Sequence, residues 1–157
     1  MSNKFDFISA TDKPALLAFS TPEWLEAART ALTELGYKVH TAATHSDFLI
    51  RFSQIRYQVV MVEELFAANN ISENLTLHAL QSMGMSQRRH ATVILLGDSF
   101  QTFTPMQAFQ QSVHAVINRS ELFLLKQLIE KAVAENTLFL HSYREAQGRA
   151  FSNATEA

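Results

Sequence analysis

Cysteine is absent from the 157 residues of the sequence, glycine and proline occur only four and three times, and no long apolar run is present. The lack of cysteine excludes disulfides, thiolate zinc sites and a cysteine nucleophile. So little glycine and proline excludes collagen-like and low-complexity structure, and no segment approaches the ~18 apolar residues typical of a transmembrane helix. With 47% apolar and 18% charged residues, the composition favours one globular domain with a buried core.

Positive charge is also sparse, since the formal net charge is −2 and the nearest approach to a basic cluster is Arg88-Arg89. Nucleic-acid backbones are bound by clustered Lys and Arg, so we expect no nucleic-acid partner. Residues 1–13 lack an apolar core of signal-peptide length. We therefore expect a cytoplasmic protein with no membrane partner.

Short apolar runs alternate with longer amphipathic stretches along the chain. This alternation is typical of parallel strands joined by crossover helices. The third and fourth runs are continuously apolar, as expected for central strands covered on both faces. The predicted strands are residues 15–19, 38–42, 58–62, 92–96 and 113–117.

Helix ends support the same alternation. Typical helix starts are found at Thr21-Pro22 and Thr104-Pro105, and a typical helix end is found at Gly36. A further helix start is indicated by Ser120, a capping residue, followed by the acidic Glu121 in the first turn. Two further helices are predicted near residues 46–56 and 72–83. The predicted organisation is an N-terminal tail or linker at 1–13, one domain at 14–147 and a disordered tail at 148–157.

One stretch carries a resemblance to a known family. Residues 15–44 read ALLAFSTPEWLEAARTALTELGYKVHTAAT, with a helix end, a Gly-Tyr turn and a second strand at residues 31–39. This stretch resembles the beginning of bacterial response-regulator receiver domains, and weaker similarity continues through residues 57–65, 91–98 and 112–120. The resemblance implies an α/β, flavodoxin-like fold: a five-stranded parallel sheet in order 2-1-3-4-5, with helices on both faces and, here, an extended C-terminal helix.

The residues that receivers use for phosphorylation are missing. Receivers hold Mg²⁺ with two acids after the first strand, accept the phosphoryl group on an Asp ending the third, and engage its oxygens with a Thr or Ser and a Lys. The corresponding positions here are Phe19, Ser20, Glu63, Gly97 and Arg119. If the register slips by one residue, Asn118 takes the place of Arg119. The resemblance therefore implies a degenerate receiver, or pseudo-receiver, with no cofactor and no metal.

Several chemical alternatives remain open at the sequence level. Glu63 could imitate a phosphorylated Asp if Arg119 held its charge, and Glu64 and Asp98 could form a weak cation site. The histidines show no metal-binding spacing; they are His40, His45, His78, His90, His114 and His141. The sequence contains no dinucleotide fingerprint, no P-loop and no nucleophile motif, so we do not expect an enzyme.

The predicted function is a phosphorylation-independent signalling or scaffolding module that binds another protein. A small-ligand sensor acting at the carboxyl ends of the strands is the alternative, and a truncated or unusual catalytic domain is a third possibility. By the resemblance, the candidate interaction surface includes residues 104–111 and the outer side of the last helix. The individual residues singled out are His114, Val116, Leu138, Phe139, Leu140 and Tyr143.

The last helix has no evident stop between Ser120 and Gly148. It would run for ~40 Å, whereas a five-residue strand spans only ~17 Å, so we expect it to overhang the sheet. Its heptad-like seam places Asn136 at a core position and predicts a homodimer through this helix. A break near Asn136-Thr137, or a covering neighbour domain, is the alternative.

Overall fold

The computed structural model describes the backbone of residues 7–156 and the side chains of residues 7–150. It confirms the predicted fold, because five parallel strands form one sheet in the order β2-β1-β3-β4-β5. Each strand overlaps its predicted run. The strands are β1 Lys13–Ala18, β2 Tyr37–Ala42, β3 Val59–Glu63, β4 Thr92–Gly97 and β5 Ala115–Asn118.

Helices connect the strands and cover the sheet. The α-helices are α1 Pro22–Glu34, α2 His45–Gln54, α3 Leu75–Ser82, α4 Met85–Arg88, α5 Pro105–Gln110 and α6 Leu125–Glu156. Short 3₁₀ helices precede α3 and α6, at Ile71–Glu73 and Arg119–Leu124. The predicted third helix is thus split between a 3₁₀ turn and α3, and the sequence pattern did not indicate α4.

The helix ends follow local chemistry only in part. Gly36 has φ +87° and closes α1 in the left-handed region, as predicted. Thr21 precedes Pro22 at the start of α1 but makes no side-chain capping bond. Thr44 caps α2 by accepting a hydrogen bond from the backbone N–H of Asp47.

The core has one layer on each face of the sheet. On one face, side chains of β1, β3 and β4 pack against α2 and α3. On the other face, the alternate side chains of the same strands pack against α1 and α6. Every residue of β3 and β4 is buried, as expected for the central strands of a covered parallel sheet. Burial on both faces leaves the strand ends and the loops to form any site.

The helix α6 runs without a break from Leu125 to Glu156, which at 1.5 Å per residue is ~48 Å for 32 residues. Leu125, Ile129 and Ala132 pack on the sheet. Asn136 is also buried, and its Nδ2 donates to Thr92 Oγ1 at 2.9 Å. Asn136 therefore anchors α6 to its own sheet, and its predicted place in an intermolecular seam is wrong.

Beyond Asn136 the helix leaves the sheet. Leu138 and Phe139 are 67% and 63% exposed, and the helix continues past Gly148, where the sequence predicted a disordered tail. Within the described part of the chain, no helix has the combined length and apolarity needed to cross a membrane.

His114 initiates the pairing of β4 with β5. Its ring Nδ1 accepts a hydrogen bond from the backbone N–H of Val93 at 2.8 Å. The backbone N–H of His114 donates to Val93 O at 2.9 Å. The residue is exposed as a whole, but partial desolvation of its ring, and secondarily the charge of Arg88, lowers the pKa of His114 to about 4. A ring protonated on Nδ1 would lose its capacity to accept from Val93.

This geometry predicts a pH-dependent loss of stability. In the unfolded chain His114 titrates near its ordinary 6.5, so below this pH the unfolded state binds the extra proton first. The contribution of neutral His114 is complete above about pH 6.5 and decreases as the pH falls towards about 4. We would measure the free energy of unfolding with urea between about pH 7.5 and 4.5. Over this range the wild type should lose more stability than His114→Gln, because glutamine does not titrate. Equal losses in the two proteins would contradict this assignment.

Candidate functional site

The carboxyl ends of the strands form a pocket of about 900 Å³. Parallel strands bring their carboxyl ends to one edge, so residues distant in sequence meet there. Of the predicted site positions, Ser20, Glu63, Gly97 and Arg119 line the pocket, together with Trp24.

The two positions of the expected acidic pair have structural roles. Phe19 is only 7% exposed and belongs to the core layer shared with α1 and α6. Ser20 Oγ accepts a hydrogen bond from the backbone N–H of Ala67 at 2.8 Å. Ala67 has φ 47°, an uncommon conformation for a residue other than glycine, so Ser20 helps to hold the turn after β3. Neither position offers a carboxylate to a metal.

Glu63 ends β3, is only 3% exposed, and is held by the loop after β1. Its Oε1 accepts a hydrogen bond from the backbone N–H of Thr21 at 3.0 Å. The Nδ2 of Asn74 donates to the backbone oxygen of Glu63 at 3.0 Å. The carboxylate is thus fixed at the bottom of the pocket, with a backbone donor as its partner.

Arg119 pairs with Asp98, not with Glu63. The distance from Arg119 Nε to Asp98 Oδ1 is 2.5 Å, and both side chains are more than half exposed. The guanidinium group also lies 6.0 Å from the centre of the Trp24 ring. The hypothesis that Arg119 pairs with Glu63, as a mimic of phospho-Asp would require, is therefore wrong. An ion pair this exposed adds little stability.

Glu64 occupies the space above Gly97, where receivers carry a Thr or Ser. A Cβ placed on Gly97 would lie 2.5 Å from Glu64 Cβ and closer still to its Oε1. Glu64 is only 8% exposed, and its Oε1 accepts a hydrogen bond from the backbone N–H of Ser99 at 3.3 Å. Glycine at position 97 is required by this close approach. The sequence pattern indicated for Glu64 only a role in a weak cation site. The signal for its contact with residue 97 was a glycine at a position expected to carry a hydroxyl.

Asn118 is the last residue of β5 and lies in register with Gly97. Its Nδ2 donates to the backbone oxygens of Phe100 and Asp98 at 2.7 and 3.3 Å, and its Oδ1 accepts from the N–H of Ser120 at 2.9 Å. The amide therefore ties the loop after β4 to the start of the following 3₁₀ helix. The strand ends at Asn118, so Arg119 lies one residue beyond it.

Across residues 7–150, no group of three or more acidic or histidine side chains is arranged to hold a metal ion. The histidines are separated and have local partners in several cases. His40 contacts Tyr57, His45 contacts Thr76, and His141 pairs with Glu145 within α6.

Several solved structures share this architecture. A response regulator from Thermotoga maritima superposes with a TM-score of 0.59 at 12% identity, over 78% of this chain and 98% of the other. A CheY-like receiver domain protein from Methanospirillum hungatei gives 0.60 at 15% identity, over 81% and 98%. The chain has the fold of a response-regulator receiver domain.

A larger protein contains the same fold as one part. NtrX from Brucella abortus, solved with ATP, gives a TM-score of 0.63 at 15% identity, over 85% of this chain and 29% of that chain. No protein-family model matches the sequence, and no curated protein matches it. The similarity of this chain to the solved receiver domains is therefore a similarity of fold.

The contact of Glu64 with Gly97 predicts a local cost of adding one methyl group. Gly97→Ala should destabilise the protein by about 1–3 kcal/mol, because the added Cβ overpacks against a buried side chain. Gly148→Ala is the control, since nothing lies within 4 Å of a Cβ at that helical position, and it should not destabilise. Chemical unfolding of the three proteins measures the difference. A Gly97→Ala variant as stable as wild type would contradict the close approach.

Proposed function

We propose that this chain is a receiver-type signalling module that acts without phosphorylation, by binding another protein. The observation that carries the proposal is the position of Glu64 over Gly97. Within a receiver fold, this puts a carboxylate of the protein itself where a phosphoryl group would be engaged. The module then has one arrangement of the strand ends, which it presents without a chemical trigger.

The chemistry of the pocket supports this proposal. Phosphoryl transfer depends on positioning and on a cation that neutralises the developing charge. A hard cation needs several converging carboxylate oxygens, and Phe19 and Ser20 supply none. Glu63 and Glu64 line the pocket, and their charges repel an anionic phosphoryl donor. In this proposal the protein is not an enzyme.

Exposed apolar side chains indicate where a protein partner would bind. In α5, Met106 and Phe109 are 63% and 80% exposed, and they lie within residues 104–111, which were predicted to belong to the interaction surface. Val116 is completely buried in the core, so its predicted place in that surface is wrong. Val116 belongs to the core layer shared with α2 and α3, and its neighbours Ala115 and Ile117 belong to the other layer, so both faces of β5 are covered.

We further propose that α6 beyond Asn136, where Leu138 and Phe139 are exposed, binds a second copy of the chain. Phe139 and Tyr143 stack with their ring centres 6.4 Å apart, and they continue the stripe that begins with Leu125 and Ile129. The chain's own sheet covers the first part of this stripe and leaves Phe139 exposed. Leu140 is half-buried beside it.

Charge also fits this arrangement of two copies. Glu135 and Arg149 are fourteen residues apart, which is two heptads, so they share one flank of the stripe. An antiparallel pair of helices places Glu135 of each copy beside Arg149 of the other. Two such pairs would fix the register of the dimer.

The pocket itself favours a second candidate function. A volume of about 900 Å³ lies within the range of small-molecule sites, and ligands of open parallel sheets gather at this edge. A sensor of a small ligand would show saturable thermal stabilisation in a screen of nucleotides and flavins. A screen without stabilisation would exclude those two ligand classes.

The proposed function predicts no response to phosphoryl donors. Mg²⁺ with acetyl phosphate should add no phosphoryl mass, and Mg²⁺ with beryllofluoride should leave the amide signals near Glu63 unchanged, because no carboxylate pair holds the cation. A receiver domain that retains the acids and the Asp serves as the positive control. A Mg²⁺-dependent mass gain, or a saturable shift of those amides, would contradict the proposal.

The proposed dimer predicts a change of mass on altering one exposed residue. The intact chain should be dimeric by light scattering, and Phe139→Ser should shift it towards monomer, because an aromatic anchor contributes strongly at an interface. Gln127→Ser, an exposed position of α6 over the sheet, should leave the dimer intact. A monomeric wild type, or a dimer insensitive to Phe139→Ser, would rule out this interface.

A further inference from the structure

A second cavity lies at the opposite edge of the sheet from Glu64. It has a volume of about 390 Å³ and lies between the end of α2 and the segment that leads into β4. Leu49, Phe52, Ile55 and Met83 provide its apolar lining. Residues 55–56 precede β3 and residues 86–90 precede β4, so this cavity is at the amino ends of the central strands. It shares no residue with the strand-end pocket.

His90 lines this cavity and has an incomplete hydrogen-bonding environment. Both of its ring nitrogens are shielded from solvent, and neither has a hydrogen-bond partner among the described residues. The ring stacks on Phe52 with centres 5.4 Å apart, and Phe52 stacks on Phe48 at 5.7 Å. A neutral imidazole offers one donor and one acceptor, and leaving both unpaired is unfavourable.

The charge of His90 follows from its surroundings. Burial, and secondarily the positive charge of Arg56, lowers the pKa of His90. At neutral pH the ring is therefore uncharged and keeps one N–H available as a donor.

Arg56 gives the cavity its charge. Its side chain lines the cavity, the residue is exposed, and it takes part in none of the ion pairs formed by the described residues. No Asp or Glu lines the cavity; the other polar lining residues are Ser53, Gln54, Ser86 and Gln87. An unpaired guanidinium beside neutral donors is the arrangement that recognises a carboxylate.

We infer that this cavity binds a small organic carboxylate with an apolar body. The carboxylate accepts a hydrogen bond from the Arg56 guanidinium. Both nitrogens of His90 are shielded in the empty protein, so the ligand also displaces the His90 ring along Phe52 and then accepts from its N–H, which supplies the partner that the ring lacks. The hydrocarbon part of the ligand packs against Leu49 and Ile55. Apolar walls with few convergent polar groups are typical of small-molecule sites. This inference does not depend on the proposed function of the strand-end edge.

Phenylacetate is a suitable probe, with phenylacetamide as its uncharged counterpart. Titration of the 157-residue chain, followed by amide and histidine-ring NMR, should show saturable shifts at residues 52–56 and 86–90. Phenylacetate should bind about two- to fivefold more tightly than phenylacetamide, which is the range expected for an exposed Arg–carboxylate pair. Arg56→Gln should remove this preference, whereas Arg29→Gln, which makes the same charge change on α1, should retain it.

A second variant tests the role of the imidazole. His90→Phe keeps a ring against Phe52 but removes both nitrogens, so it should weaken phenylacetate binding while leaving the empty protein at least as stable. The inference is overturned if no saturable shift occurs near the cavity, if acid and amide bind equally, or if Arg56→Gln binds like wild type. Unchanged binding by His90→Phe would equally overturn it.

Discussion

The contact between Glu64 and Gly97 determines how the carboxyl end of the sheet is built. Glu64 follows the last residue of β3, and its N–H donates to Leu96 O at 2.7 Å, which continues the pairing with β4. Its side chain then turns across Gly97, at a distance that a Cβ on residue 97 would not allow. The backbone N–H of Ser99 donates a hydrogen bond to the Glu64 carboxylate at 3.3 Å. The bottom of the pocket is therefore lined with the protein's own acidic groups.

Around this contact, the positions that receivers devote to phosphoryl chemistry serve to hold the fold. Phe19 fills the core, Ser20 ties the turn at Ala67, and Asn118 fixes the loop after β4. Phe19 buries apolar surface, Ser20 satisfies a backbone donor, and the Nδ2 of Asn118 satisfies backbone acceptors. These contacts stabilise one arrangement of the edge. Such an edge suits a module that presents a constant surface to a partner.

The alternation of strands and helices could be predicted because its signals are local, whereas the order of the strands followed from the resemblance to receiver domains. The apolar runs of β3 and β4, the turn at Gly36 and the common edge of parallel strand ends all follow from short-range patterns. The contact partners of individual side chains could not be predicted, because these contacts join residues that are far apart in sequence. Asn136 matched a heptad position, yet it contacts Thr92 of its own sheet, since periodicity indicates a buried face but not which surface covers it.

A double-mutant cycle between positions 64 and 97 tests the central claim most directly. Glu64→Gly, Gly97→Ala and the double variant would be unfolded chemically beside wild type, because Glu64→Gly removes the Cβ as well as the carboxylate. If Glu64 fills the space over Gly97, the alanine is costly only when Glu64 is present, and the two positions couple by about 1–3 kcal/mol. Effects that add to within about 0.5 kcal/mol would contradict the account, because they would show that the two side-chain positions do not compete for the same space.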